Sequence, residues 1–182
     1  MIKVLVPLAQ GCEELEAVTI TDLLVRAGMQ VTTAGLDNQP VKASRGMRLL
    51  PDTSIDKVMD EIFDLIVLPG GLPGADHLRD DARVQTLLKK HAASGKYVAA
   101  ICAAPKALAQ AGLLDGKTAT GYPGVLSALK LSTTVIKDSA LEIDGKIITS
   151  RGPGTAMDFA LALIELLAGK AKRDEVNKQL VR

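Results

Sequence analysis

Short apolar runs alternate with amphipathic stretches along this chain, and that alternation leaves few folds open. Residues 2–8, 30–34, 63–68 and 97–101 are strand-length runs of mostly Val, Ile, Leu and Ala. Between them, residues 13–27 and 82–94 carry apolar side chains at helical spacing. Strands that are apolar on both faces and alternate with helices imply an α/β fold: a doubly wound, mostly parallel sheet with helices on both faces. The remaining pieces fit that scheme. Residues 41–50 read as a small antiparallel excursion and 55–60 as a short helix. Residues 117–120, 135–139 and 141–143 read as short strands, and Asp144-Gly145 as a hairpin turn into 146–149. Residues 155–167 form a strongly apolar helix closed by Gly169, and 174–181 a last amphipathic one. With 182 residues, no composition break and no internal repeat, the chain is expected to be one domain over 1–182.

Composition removes several classes of function. Only Phe63, Phe159, Tyr97 and Tyr122 are aromatic, so the core is aliphatic and no stacking platform for bases exists. A formal net charge of +1 offers no electrostatic funnel for nucleic acid. No run reaches membrane-spanning length, and the apolar start is broken by Pro7 and too short for a secretory signal. Two cysteines, Cys12 and Cys102, make no disulfide framework, which fits a reducing, cytoplasmic setting. No His, Cys, Asp and Glu cluster has metal-ligand spacing, and no cofactor is expected.

In a doubly wound sheet, ligands bind beyond the carboxyl ends of the strands. Three loops collect there: Ala9–Cys12, Gly70–Gly74 and the turn at Cys102. Cys102 follows the apolar run 97–101 and precedes a helix start marked by Pro105. Ala100 and Ala104 flank it at two residues' distance, the steric layout of a nucleophile elbow with Cys for Ser and Ala for Gly. A free Cys is commonly just a small core hydrophobe. A strand-to-helix turn adds N–H groups and a positive dipole end, which favour thiolate.

One carboxylate stands on the wrong face. At about 100° per residue, Ala17, Ile20, Leu23, Leu24 and Ala27 form the apolar stripe of the first helix, and Glu16 falls inside it. Glu14 points away from the stripe, and Glu13 at the helix start reads as a dipole partner. A carboxyl facing the sheet must find a donor or keep its proton, since burial raises its pKa. Its helix starts at the sheet edge that carries Cys102, so the two are expected to meet.

A set of short motifs resembles the ThiJ/PfpI superfamily, in particular its branch of parkinsonism-associated deglycases and bacterial YajL-like proteins. They are residues 11–18 (Gly-Cys-Glu-Glu-Leu-Glu-Ala-Val), 26–28 (Arg-Ala-Gly), 44–46 (Ser-Arg-Gly), 67–71 (Val-Leu-Pro-Gly-Gly), 99–105 (Ala-Ala-Ile-Cys-Ala-Ala-Pro) and 149–155 (Thr-Ser-Arg-Gly-Pro-Gly-Thr), in family order. The resemblance implies a flavodoxin-like sandwich in a homodimer. It implies an oxidation-sensitive nucleophile at Cys102, a protonated partner at Glu16, and an oxyanion site at the N–H groups of Gly71 and Ala103. Arg45 and Arg151 would lie near the pocket entrance and dimer interface. Two positions depart from other branches: Ala103 stands where protease-like members have His, and Tyr122 where the human-type deglycase has His. Without a local base, peptide hydrolysis by a Cys-His dyad is not expected. His91 sits in a helix and is read as solvent-facing; His77 follows the Gly70–Gly74 loop and could approach the site.

The remaining motifs are bland. Gly70–Gly74 lacks dinucleotide-fingerprint spacing, Ser150–Thr155 lacks a P-loop Lys and reads as a tight turn, and Lys170–Arg173 reads as a solvated face. A Cys12–Cys102 disulfide is open but not supported by sequence. The expected activity is that of a glutathione-independent glyoxalase or protein deglycase, acting on α-oxoaldehydes such as methylglyoxal or on glycated protein. The alternative is a redox-sensing stress protein or chaperone working through oxidation of Cys102.

Overall fold

The computed structural model describes residues 1–181. The chain opens with strand β1 (Lys3–Leu8), helix α1 (Glu14–Arg26) and strand β2 (Gln30–Gly35). Strands β3 (Val41–Lys42) and β4 (Arg48–Leu49) pair antiparallel as a small excursion, and β5 (Thr53–Ser54) runs into a 3-10 turn at Ile55–Val58. Then come β6 (Leu65–Leu68), α2 (Gly74–Asp80), α3 (Ala82–Ala93), β7 (Tyr97–Ile101) and α4 (Pro105–Gln110). The last part holds β8 (Thr118–Ala119), β9 (Val135–Ile136), the hairpin β10 (Leu141–Asp144) and β11 (Ile147–Ser150), α5 (Ala156–Ala168) and α6 (Lys170–Gln179).

The main sheet has seven strands in the order β10-β11-β7-β6-β1-β2-β5, parallel throughout except for β10 against β11. This is the flavodoxin-like α/β class expected from the alternation. β6 is buried along its whole length and β7 everywhere but Tyr97, which explains their continuous Val, Ile, Leu and Ala. The helices form two groups, α1 with α5 and α6, and α2 with α3 and α4. From β1 the chain moves to β2 and β5, then returns to β6 on β1's other side. The connections leaving β1 and β6 therefore diverge at their carboxyl ends, the switch point beside which doubly wound sheets place their sites.

One local bound is corrected and two arrangements are new. Residues 74–80, which spacing alone leaves unassigned after the Gly70–Gly74 loop, form a helix; seven residues are too few for a periodicity to show. α6 starts at Lys170 rather than 174, because Lys170–Asp174 and Lys172–Glu175 pair across one turn and give the basic run a helical role. The short strands β8 and β9 pair with each other outside the main sheet.

Phe63 and Phe159, the only phenylalanines, head the fully buried side chains of one apolar core. No helix among the described residues is long and apolar enough to cross a membrane. Phe159→Ala should cost about 3–5 kcal/mol in urea unfolding, as for a deleted core aromatic. Val25→Ala, on the exposed face of α1, should change stability by no more than about 0.5 kcal/mol. Equal effects would contradict this placement of the core.

Candidate active site

The turn after β7 places Cys102 in a conformation that L-residues seldom adopt. Its φ is +63°, and Val181 is the only other described non-glycine with positive φ. The backbone is held there from both sides: Cys102 N–H donates to the Ser150 carbonyl (2.9 Å), and Tyr122 N–H donates to the Cys102 carbonyl (2.7 Å). The side chain is left 7% exposed at the sheet's carboxyl edge. Such a strained elbow, fixed by its surroundings, is the geometry the sequence pattern anticipates.

Glu16 is wholly buried, as its place in the apolar stripe requires. Its Oε2 accepts the Gly70 N–H at 2.7 Å. The same carboxyl lies beside the Cys102 thiol, close enough for each group to shift the other's acidity. Its other oxygen, Oε1, is buried without a partner of good hydrogen-bond geometry. Gly70 makes this meeting possible. A Cβ there would lie 2.7 Å from Cys102 Cβ and 2.9 Å from Glu16 Oε2, so any side chain would drive the pair apart. From sequence, Gly70 reads only as part of a strand-ending turn; its signal is the glycine pair itself, whose first member carries the donor.

The N–H groups of Gly71 and Ala103 lie close enough to the Cys102 sulfur to pull the thiol's pKa down. Gly71 reaches it at φ +88°, in a fold so tight that a Cβ would come within 2.3 Å of Glu13 N. Glu13 N–H in turn donates to the Gly70 carbonyl (2.9 Å), locking the loop after β1 to the loop after β6.

Two buried acids facing each other resist a second charge. Burial raises Glu16 from 4.5 to about 7, against the opposing pull of the Gly70 and Cys102 hydrogen bonds. Burial first, and then the Glu16 carboxylate, push Cys102 up to about 12, while the Gly71 and Ala103 N–H groups pull it down. Taken one at a time, these shifts would place the first charge on Glu16; but the electrostatic part of the Cys102 rise disappears when Glu16 holds a proton, so the pair tolerates one negative charge and the donors around each acid decide which one carries it.

The other expected residues divide. Tyr122 is brought to the site by its backbone bond to Cys102, and its ring stacks beside Gly152. Arg151 follows the Ser150 that anchors Cys102, but its guanidinium pairs with Asp138 at 3.0 Å. Arg45 extends into solvent with its Nε 4.0 Å from Glu13. Cys12 is a free, fully buried thiol, pushed up to about 12 chiefly by burial, and forms no disulfide with Cys102. His77 turns to the Gln10 carbonyl (3.0 Å) and lines a separate cleft with Leu36 and Asp81.

Two readings are corrected. His91 is buried rather than solvent-facing, because the end of α3 packs over the apolar Phe63–Ile66 segment; burial pushes it down to about 4. Glu14, expected to face solvent, is buried under the 44–47 loop, where it accepts the Arg45 and Met47 N–H groups and the Ser44 hydroxyl. A periodicity computed on one helix does not see a loop folding over it.

Glu16 and His91 impose opposite pH dependences. Between about 4.5 and 7 the unfolded chain has lost the Glu16 proton that the folded chain keeps, so this group makes stability fall as pH rises. Between about 4 and 6.5 the unfolded chain binds the His91 proton that the folded chain refuses, so that group makes stability rise. Glu16→Gln should therefore be more stable than the parent above pH 7, by up to about 3 kcal/mol. Its stability should climb with pH where the parent's stays flat. Parallel profiles would refute the assignment of the buried proton.

Comparison with known proteins places this geometry in a family. The DJ-1/PfpI family model matches residues 2–166. Protein dj-1beta of Drosophila melanogaster is 46% identical over 178 residues, covering 97% of this chain and 95% of that protein. Its crystal structure superposes with a TM-score of 0.95 at 45% identity, covering 99% of this chain and 97% of that one. A Caenorhabditis elegans relative named Glutathione-independent glyoxalase DJR-1.2 is 36% identical over 171 residues, covering 94% of this chain and 91% of that protein. Protein DJ-1 homolog A of Arabidopsis thaliana is 46% identical over 180 residues; these are 98% of this chain but only 46% of the plant protein, so the chain spans less than half its length. With a family model covering most of its length and near-full-length relatives well above 30% identity, the chain belongs to the DJ-1/PfpI family.

Proposed function

We propose that this protein is a cofactor-independent glyoxalase, converting small α-oxoaldehydes such as methylglyoxal to hydroxy acids, with Cys102 as nucleophile and Glu16 as proton carrier. The observation that carries this reading is the wholly buried Glu16 carboxyl set beside a thiol held at a strained elbow. The printed name of the C. elegans relative supports the same reaction class.

The reactive form is thiolate with protonated Glu16. A proton on Glu16 Oε1 turns the unpartnered buried acceptor into a donor, while Oε2 keeps the Gly70 N–H. The sulfur then has three donors near it: Gly71 N–H, Ala103 N–H and the Glu16 hydroxyl. The opposite arrangement gives a fully buried carboxylate only the Gly70 N–H and a weak S–H donor.

Attack of the thiolate on the aldehyde carbon forms a C–S bond and an alkoxide, which takes the Glu16 proton to give a hemithioacetal. During attack the Gly71 and Ala103 N–H groups, released by the sulfur as it becomes neutral, are at hand for the developing oxyanion. The Glu16 carboxylate then removes the proton from the former aldehyde carbon. Its return to the neighbouring carbon, with the second carbonyl reduced to an alcohol, leaves a thioester. Water cleaves the thioester, giving the hydroxy acid and restoring the thiol pair. Overall one water is added, and no external oxidant or reductant is consumed. The slight exposure of Cys102 favours a free three-carbon aldehyde over a bulky protein adduct; deglycation of glycated protein is the slower, secondary activity.

The expected assembly is a homodimer, and the exposed Leu15 and Val18 on α1 together with Met47 and Leu50 on and after the β3–β4 excursion give it an apolar face to use. The alternative redox role draws on the same donors: N–H groups and a carboxylic acid that hold an oxyanion also hold a sulfinate.

Purified protein should form lactate from methylglyoxal. Cys102→Ser should fall to background, and Glu16→Ala should lose about 10²–10⁴-fold in kcat. An inactive parent would sink the glyoxalase reading; an active Ser variant would sink the nucleophile. After mild peroxide, mass analysis should find added oxygen on Cys102 and none on Cys12; the reverse pattern would remove the redox role.

A further inference from the structure

The two backbone donors at Cys102 come from different turns, and one ion pair ties those turns together beyond the sheet. Gly71 lies in the turn from β6 to α2, and Ala103 in the turn from β7 to α4. The β6–β7 ladder ends at Leu68 opposite Ala100, before either donor is reached. Past that point α2 packs against α4. The one side-chain hydrogen bond between these two helices among the described residues runs from Lys106 Nζ to Asp76 Oδ1, at 2.8 Å. Asp76 is held in turn by Arg79 Nη1 at 3.0 Å. Asp76 stands five residues after Gly71, and Lys106 three after Ala103.

The cost of this pair marks it out. The Lys106 side chain is only 12% exposed, although nothing forces an ammonium group into an interface that apolar side chains could fill at no desolvation penalty. An ion pair adds what apolar packing does not, a fixed length and direction. We propose that Lys106 and Asp76 are positioning residues: their ion pair sets the spacing of the first turns of α2 and α4, and through it the convergence of the Gly71 and Ala103 N–H groups on Cys102 Sγ. The inference deepens the glyoxalase reading, since displacements near 1 Å at such donors cost about 10²-fold in rate. It does not depend on that reading for its test, because donor alignment also sets the acidity of the thiol.

The test measures alkylation of Cys102 by iodoacetamide against pH, in the parent and in Lys106→Met, Lys106→Arg and Asp76→Asn. Iodoacetamide is uncharged, so the profile reports thiolate formation rather than attraction of the reagent. Lys106→Met should move the profile to higher pH and slow alkylation at neutral pH about 10-fold, with the parent's circular dichroism retained. Asp76→Asn should do the same, and Lys106→Arg should restore most of the parent profile. Methylglyoxal turnover should follow with a fall in kcat and little change in KM. Unchanged profiles in both Lys106→Met and Asp76→Asn would overturn the inference. So would a shift in Lys106→Met alone, which would mean that the lysine acts by its charge and not by holding the turns. If Lys106→Met does not fold, Asp76→Asn and Lys106→Arg still decide the matter. Shifted profiles in a parent without turnover would leave this inference standing and remove the glyoxalase reading.

Discussion

Two acids buried against each other can hold only one negative charge, and the architecture around Cys102 is arranged by that constraint. Glu16 lies wholly inside the protein, and Cys102 is nearly so. Ionising both would set two anions in contact in a medium of low dielectric. The surrounding backbone eases the conflict: the Gly70 N–H donates to the carboxyl, and the Gly71 and Ala103 N–H groups lie where they favour the thiolate. Each donor is a main-chain group, which cannot swing away as a side chain can. The site therefore keeps its geometry when the shared proton moves.

Those donors exist only because the fold brings three chain segments to one edge. The connections of β1 and β6 diverge at that edge, and the strained turn after β7 sets the thiol beside them. Gly70 and Gly71 are needed for contact, not merely for flexibility, because a methyl group at Gly70 would collide with Cys102 and Glu16 and one at Gly71 with the backbone of the 11–13 loop. Loop locking by Glu13 N–H to Gly70 and by Cys102 N–H to Ser150 joins the site to both flanks of the sheet. Stability and reactivity here draw on the same hydrogen bonds.

Much of this was legible in the residues. Continuous apolar strands gave the sheet class, the flanking alanines and Pro105 gave the elbow, and one carboxylate out of phase in α1 gave Glu16. Each is a local pattern with a local cause. What the sequence hid was long-range: the loop that covers Glu14, the apolar wall that buries His91, the short helix behind the Gly70–Gly74 run, and the ion pair from Lys106 to Asp76. None of these follows from spacing within one segment, since each depends on which segments the fold makes neighbours. Tyr122 shows the intermediate case: the family resemblance marked its position, and the backbone bond to Cys102 shows how it reaches the site.

The central claim is that Glu16 holds the shared proton and Cys102 carries the charge. The most direct measurement is the ultraviolet absorbance of thiolate, taken as the difference between the parent and Cys102→Ser across the pH range. The account predicts a Cys102 thiolate band already present at neutral pH and lost when Glu16 is replaced by Ala. A band that appears only in strongly alkaline solution, with or without Glu16, would contradict it.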